Sequence, residues 1–105
     1  MKVLFIKEIS GAGNHFIDLN TDDGGNQTPQ EIYLQLTDND TMSVKGTVKD
    51  GSEITSLDLG LINLKDYSVL SQAQTAGIYV IDGASLSSLT INLGTGKKVI
   101  VKVGY

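Results

Sequence analysis

Residues 89–103 read Leu89-Thr90-Ile91-Asn92-Leu93-Gly94-Thr95-Gly96-Lys97-Lys98-Val99-Ile100-Val101-Lys102-Val103. Leu89, Ile91 and Leu93 alternate with Thr90 and Asn92, and Val99, Val101 and Val103 share a face with Ile100 opposite. A period of two is the signature of a strand with one buried face. Between the two runs, Gly94-Thr95-Gly96-Lys97 is a turn, because glycine takes positive φ without steric cost. The pattern predicts a hairpin of two β-strands with a lysine pair at its turn.

The same alternation extends upstream. Residues 77–82 form a glycine-led strand in which Ile78 and Val80 lie opposite Tyr79 and Ile81, with a turn at 82–85 and Leu86 opening the next strand. In residues 31–37, Ile32, Leu34 and Leu36 face inward and Tyr33, Gln35 and Thr37 outward. Asp38-Asn39-Asp40 is a turn, and residues 42–49 follow with Met42, Val44 and Val48 inward. The period of that strand slips at Gly46, which fits a bulge or a close contact. Lys49-Asp50-Gly51-Ser52 is a hairpin signal. Residues 54–57 and 59–64 read as one bent strand or two short ones, and 66–75 as a helical turn or a short strand. Toward the N-terminus, 2–9 is a strand, 10–14 a glycine turn, 15–19 a short strand and 20–30 a polar exposed loop. About eight or nine short strands at 8–12-residue spacing predict a single all-β domain over 1–105. The expected architecture is an antiparallel β-sandwich, Ig-like or jelly-roll-like, with a small barrel as the other closed solution. A parallel α/β fold would need crossover helices, and no segment carries a sustained 3.6-residue period.

The chain has 105 residues, 12 acidic residues and 8 lysines, with no arginine and a net charge of −4. That balance argues against nucleic acid as a partner, since phosphate binding asks for a basic face. No apolar run approaches the ~20 residues of a membrane-spanning helix. The first apolar run is too short for a signal peptide and meets Lys7 and Glu8 at once. With no cysteine, disulfides and thiolate chemistry are excluded.

Catalytic constellations are not found, and the chain is read as non-enzymatic and without a cofactor. His15 is the one histidine. A histidine base needs a nucleophile and an orienting carboxylate, and no G-x-S-x-G motif is present. Asp22, Asp23, Asp38 and Asp40 are oxygen donors of the kind Ca²⁺ takes, but neither loop has the D-x-D-x-D-G spacing with a distal glutamate, so turn chemistry is the better account. Residues 94–98 share glycine and lysine with a phosphate loop but lead into a strand where that loop requires a helix. Sugars are commonly held by stacking on exposed rings, and this chain has no tryptophan, 2 phenylalanines and 4 tyrosines. Tyr33 and Tyr79 are placed on outward or second faces, as cross-strand packing residues.

Val3, Leu4, Phe5 and Ile6 put apolar groups on both faces of the first strand. A strand of that kind is buried on both sides or lies in an interface; at an exposed edge it would be an aggregation hazard, so a partner is implied. Together with Tyr105 on the last strand, these residues are the candidate interface, and the terminal strands, if edges, are the ones able to add to a partner's sheet.

Two stretches carry a resemblance. The first is Val44-Lys45-Gly46-Thr47-Val48-Lys49-Asp50-Gly51-Ser52. The second is Gly77-Ile78-Tyr79-Val80-Ile81-Asp82-Gly83-Ala84-Ser85-Leu86, followed by Leu89-Thr90-Ile91-Asn92-Leu93 and Val99-Ile100-Val101-Lys102-Val103. This succession over residues 42–105 resembles small β-sandwich virion proteins of tailed bacteriophages: head decoration (auxiliary capsid) proteins, head-fibre bases and related modules. The resemblance implies a structural protein of the virion, made in the bacterial cytoplasm. It would bind the major capsid protein or other virion proteins on the outer capsid surface and stabilise the shell in symmetric copies, a trimer being natural to shell symmetry axes. Tail-tube, connector and head-completion proteins are related structural readings. A carbohydrate-binding or adhesion module is the alternative from another class.

Overall fold

A computed structural model of the chain describes residues 3–19, 31–83 except 51, and 86–104. Its strands are β1 (Val3–Ile9), β2 (Gly13–Asp18), β3 (Glu31–Leu36), β4 (Met42–Asp50), β5 (Glu53–Asp58), β6 (Leu61–Asn63), β7 (Val69–Leu70), β8 (Gly77–Asp82), β9 (Ser88–Leu93) and β10 (Val99–Gly104). They form two antiparallel sheets, one ordered β1-β10-β3-β8-β6-β7 and the other β2-β9-β4-β5. This is the expected all-β sandwich. The polar loop at 20–30 and the interface candidate Tyr105 lie outside the described residues.

The core is what the alternation dictates. Ile32, Leu34 and Leu36 of β3, Tyr79 and Ile81 of β8, and Val99, Val101 and Val103 of β10 face Ile17 of β2, Met42 and Val44 of β4, and Leu89, Ile91 and Leu93 of β9. Burying such aliphatic side chains from two sheet faces is the main stabilising term of the fold.

Several expectations are corrected. Residues 94–97 do not close a hairpin, because β9 and β10 belong to different sheets and the turn carries the chain across the sandwich. β4 does not slip at Gly46: its register against β5 and β9 is continuous there, and glycine occupies an inward position. A Cβ at Gly46 would lie 2.8 Å from Leu86 Cδ2 and 3.0 Å from Leu59 Cδ1, so the close-contact reading is the correct one. Of the alternatives left open, 54–57 and 59–64 are two short strands, in opposite sheets, and 66–75 hold a turn and the short strand β7. Tyr79 points into the core with no exposed surface, and Ile78 and Val80 take the outer face. Its hydroxyl donates to the Thr75 carbonyl at 2.7 Å, which satisfies the polar tip of a buried ring. β10 is not an edge; it lies between β1 and β3 and cannot add to a partner's sheet.

One end of the sandwich is organised by Asp40, a buried carboxylate with 6% exposure. Its Oδ1 accepts the amides of Thr41 and Thr95, both at 2.8 Å, and its Oδ2 those of Gly96 at 3.0 Å and Lys97 at 2.9 Å. Desolvation by burial works against its charge, but the amides of Lys97, Thr95 and Thr41, with the Thr95 hydroxyl, outweigh it and hold the pKa down at about 2. The same turn closes on residues 11–12: Gly11 N–H donates to Gly96 O at 3.0 Å. Gly96 has φ of 89°, and a Cβ there would meet Ala12 N and Gly11 C at 2.5 Å, backbone atoms that cannot step aside.

Three outcomes follow. Gly96→Ala should destabilise by at least about 1–3 kcal/mol, from left-handed backbone and the clash together. Tyr79→Phe should cost about 1 kcal/mol, one hydrogen bond with the ring kept. Asp40→Asn should lower the urea midpoint at pH 7. Because the folded pKa is below the ordinary value of 3.8, this contribution is present above about pH 4 and lost as pH falls toward 2, so the gap between wild type and variant should narrow over that interval. A gap that stays constant from pH 7 to pH 2 would contradict the clamp.

Candidate functional site

The feature with the character of a binding surface is the outer face of the six-stranded sheet. Antiparallel register places its residues in rows. One row runs Ile6, Lys102, Tyr33, Val80, Ile62, and the next runs Glu8, Ile100, Gln35, Ile78. A groove of about 440 Å³ crosses them, lined by Ile6, Tyr33, Gln35, Ile78, Ile100 and Lys102. Ile6 is 61% exposed and Ile78 43%, and on β8, whose inner Tyr79 and Ile81 are buried, isoleucine is thus also presented outward. Apolar floor with few polar groups is the usual make-up of a recognition groove.

The polar groups are arranged by neighbouring strand residues. Tyr33 Oη donates to Glu31 Oε2 at 3.2 Å, two residues along the same face of β3. That bond, then the carboxylate's charge, and finally burial raise the tyrosine pKa above its ordinary value. Lys102, half-buried, stands between Ile6 and Tyr33 across the strands.

The residues singled out from sequence are distributed as follows. Ile6 lines the groove and Val3 is exposed, while Leu4 and Phe5 pack against the core from β1. β1 is an edge strand, but it carries two protections: the pairing is irregular between Val3 and Phe5, and Lys7 sits opposite the inward-facing Val101. A bulge and an inward charge are standard means of blocking edge-to-edge pairing. His15 Nε2 lies 2.7 Å from the Gly11 carbonyl and clasps the turn between β1 and β2. Asp38 pairs with Lys97 at 4.0 Å, Asn39 Oδ1 accepts the Ala76 amide at 3.0 Å, and both Asp40 oxygens are occupied by amides. Turn chemistry therefore accounts for 38–40, and Asp22 and Asp23 lie outside the described residues. Among the described residues no group of three or more His, Cys, Asp or Glu is arranged to hold a metal ion.

Sequence reading placed Tyr33, Gln35 and Ile100 outward but did not join them to Ile78 and Ile6. The available signal was the apolar residue on the second face of strands whose first face is already apolar.

No family model and no curated protein matches the chain. Among solved structures, the fold matches the crystal structure of SPBc2 prophage-derived protein YomS. The TM-score is 0.63 at 12% identity, covering 98% of this chain and 97% of that one. The two chains share one fold from end to end.

The groove's electrostatics are testable. In a spectrophotometric titration one tyrosine should ionise above the ordinary value, and Glu31→Gln should move it back. An unchanged titration curve in the variant would contradict the Tyr33–Glu31 bond.

Proposed function

We propose that this chain is a structural protein of a bacteriophage virion, of the capsid decoration or head-fibre type, which docks on the outer capsid surface and strengthens the shell. The observation that carries this reading is the fold shared over nearly the whole of both chains with a prophage-derived protein. It agrees with the phage virion modules that residues 42–105 resemble. The groove across β1, β10, β3 and β8 supplies a docking face. The mechanism is additive: each copy buries about 800 Å² against the shell, and symmetric repetition multiplies a modest contact into resistance to internal pressure.

The carbohydrate-binding alternative asks for at least two exposed tyrosines lining one concave face, or a bound Ca²⁺. Tyr79 is in the core, so Tyr33 and Tyr79 do not form such a pair.

The test is density-gradient sedimentation of phage lysate with an antibody against the recombinant protein. A shell component travels with full particles at roughly tens to hundreds of copies each, set by symmetry. A few copies per particle would move the assignment to a tail or vertex. A protein that stays at the top of the gradient would refute the virion reading.

A further inference from the structure

The four-stranded sheet ends on β5 in a way that differs from the protected β1 edge. No strand lies beyond β5 among the described residues, and every residue from Glu53 to Asp58 is exposed. The backbone groups facing solvent follow from one hydrogen bond. Leu59 N–H donates to Val44 O at 3.0 Å, in line with the register Gly46↔Leu57 and Val48↔Thr55. In an antiparallel ladder the bonded positions recur every second residue. Leu57 and Thr55 therefore bond toward β4, and the N–H and C=O groups of Ile54, Ser56 and Asp58 point off the sheet. The strand also shows two large apolar side chains, Ile54 at 67% and Leu57 at 43% exposure. Beside it, a groove of about 390 Å³ separates β5 from β7, the margin of the other sheet, and Val69 on its wall is 70% exposed.

We infer that β5 pairs antiparallel with β5 of a second copy of this chain, about a two-fold axis at Ser56, joining two four-stranded sheets into one continuous sheet. A two-fold axis normal to the sheet keeps inner faces together, so paired residues must share a face. Centring on Ser56 meets that condition and uses the free backbone groups: Ser56 exchanges both bonds with Ser56 of the second copy, and Ile54 with Asp58 of the second copy.

The side chains then fit. On the inner face Thr55 meets Leu57 of the second copy, a contact the two-fold makes twice, once for each exposed leucine. On the outer face a hydroxyl row forms, Thr47 beside Ser56 and then the same pair reversed, with Thr47 opposite Ser56 already fixed within each copy. Asp58, held 3.9 Å from Lys45 of its own copy, falls opposite Ile54, so no two like charges face each other on one side of the sheet. This self-complementarity favours a second copy over an unrelated strand. The inference stands apart from the virion reading, because it concerns the isolated protein.

The chain has no cysteine, which makes cross-linking decisive. A Ser56→Cys pair at the axis would have Cα atoms about 5.5 Å apart, inside the disulfide range of about 4.4–6.8 Å. Under mild oxidation it should form a covalent dimer at least about tenfold faster than Phe16→Cys, on the opposite edge of the same sheet, because pairing raises the local thiol concentration. In sedimentation equilibrium between about 1 and 100 µM, the wild type should move toward twice 11.2 kDa. Ser56→Pro removes an N–H that β4 does not use, and Ile54→Glu sets a carboxylate opposite Asp58 of the second copy; each should stay monomeric with an unchanged β circular-dichroism spectrum. Monomeric wild type across that range, or Phe16→Cys cross-linking as fast as Ser56→Cys, would overturn the pairing. If Ser56→Pro fails to fold, Ile54→Glu and the cross-linking rates decide.

Discussion

The Asp40 carboxylate is the constraint on which one end of this sandwich depends. Its two oxygens take amides from its own loop and from the turn between β9 and β10. That turn in turn receives the Gly11 amide, so the connections β1–β2, β3–β4 and β9–β10 meet around one buried charge. Each of these connections carries the chain from one sheet to the other. Backbone groups in such crossings have no ladder to join, and burying them unpaired is costly. A carboxylate accepting several N–H groups supplies the missing partners, and those bonds keep it charged. Gly96 completes the arrangement because a side chain there would occupy the space of the β1–β2 turn.

At the same end, Asn39 receives the Ala76 amide, and Met42 and Ala73 exchange backbone bonds of 2.9 and 2.8 Å. Residues 71–76 are thereby tied to the start of β4, while the Tyr79 hydroxyl holds Thr75 from below. Polar clamps and the apolar core thus fix the same loops from two sides. What is left free is surface: the outer face of the six-stranded sheet and the margins of both sheets. The proposed function would reside in those surfaces, where apolar area and unpaired backbone groups gain by contact with another molecule.

Two of the four edge strands, β1 and β5, show how closely similar strands can differ. β1 and β5 both end a sheet and both carry apolar residues. β1 is interrupted by an irregularity and carries the exposed Lys7 in register with the inward-facing Val101, whereas β5 pairs in continuous register over its whole length. The candidate interface Val3, Leu4, Phe5 and Ile6 was selected on apolarity alone. The structure divides it: Leu4 and Phe5 contribute to the core, and Ile6 opens onto the groove.

Alternation along the chain was enough to determine that this is an all-β protein of short antiparallel strands and to name most of its inward residues, because the side-chain period of a strand is local and a buried face must be apolar. β3 and β10 are the clear cases, with one apolar face each dominating. β8 is the counter-case: Ile78 and Val80 are as apolar as Tyr79 and Ile81, so its pattern is symmetric and only packing against the other sheet selects Tyr79 as the buried side. Sheet membership, the edge positions of β1 and β5, and the coordination of Asp40 were decided by tertiary structure alone. Each depends on residues far apart in sequence being brought together, and a turn such as 94–97 has the same local chemistry whether it closes a hairpin or crosses between sheets.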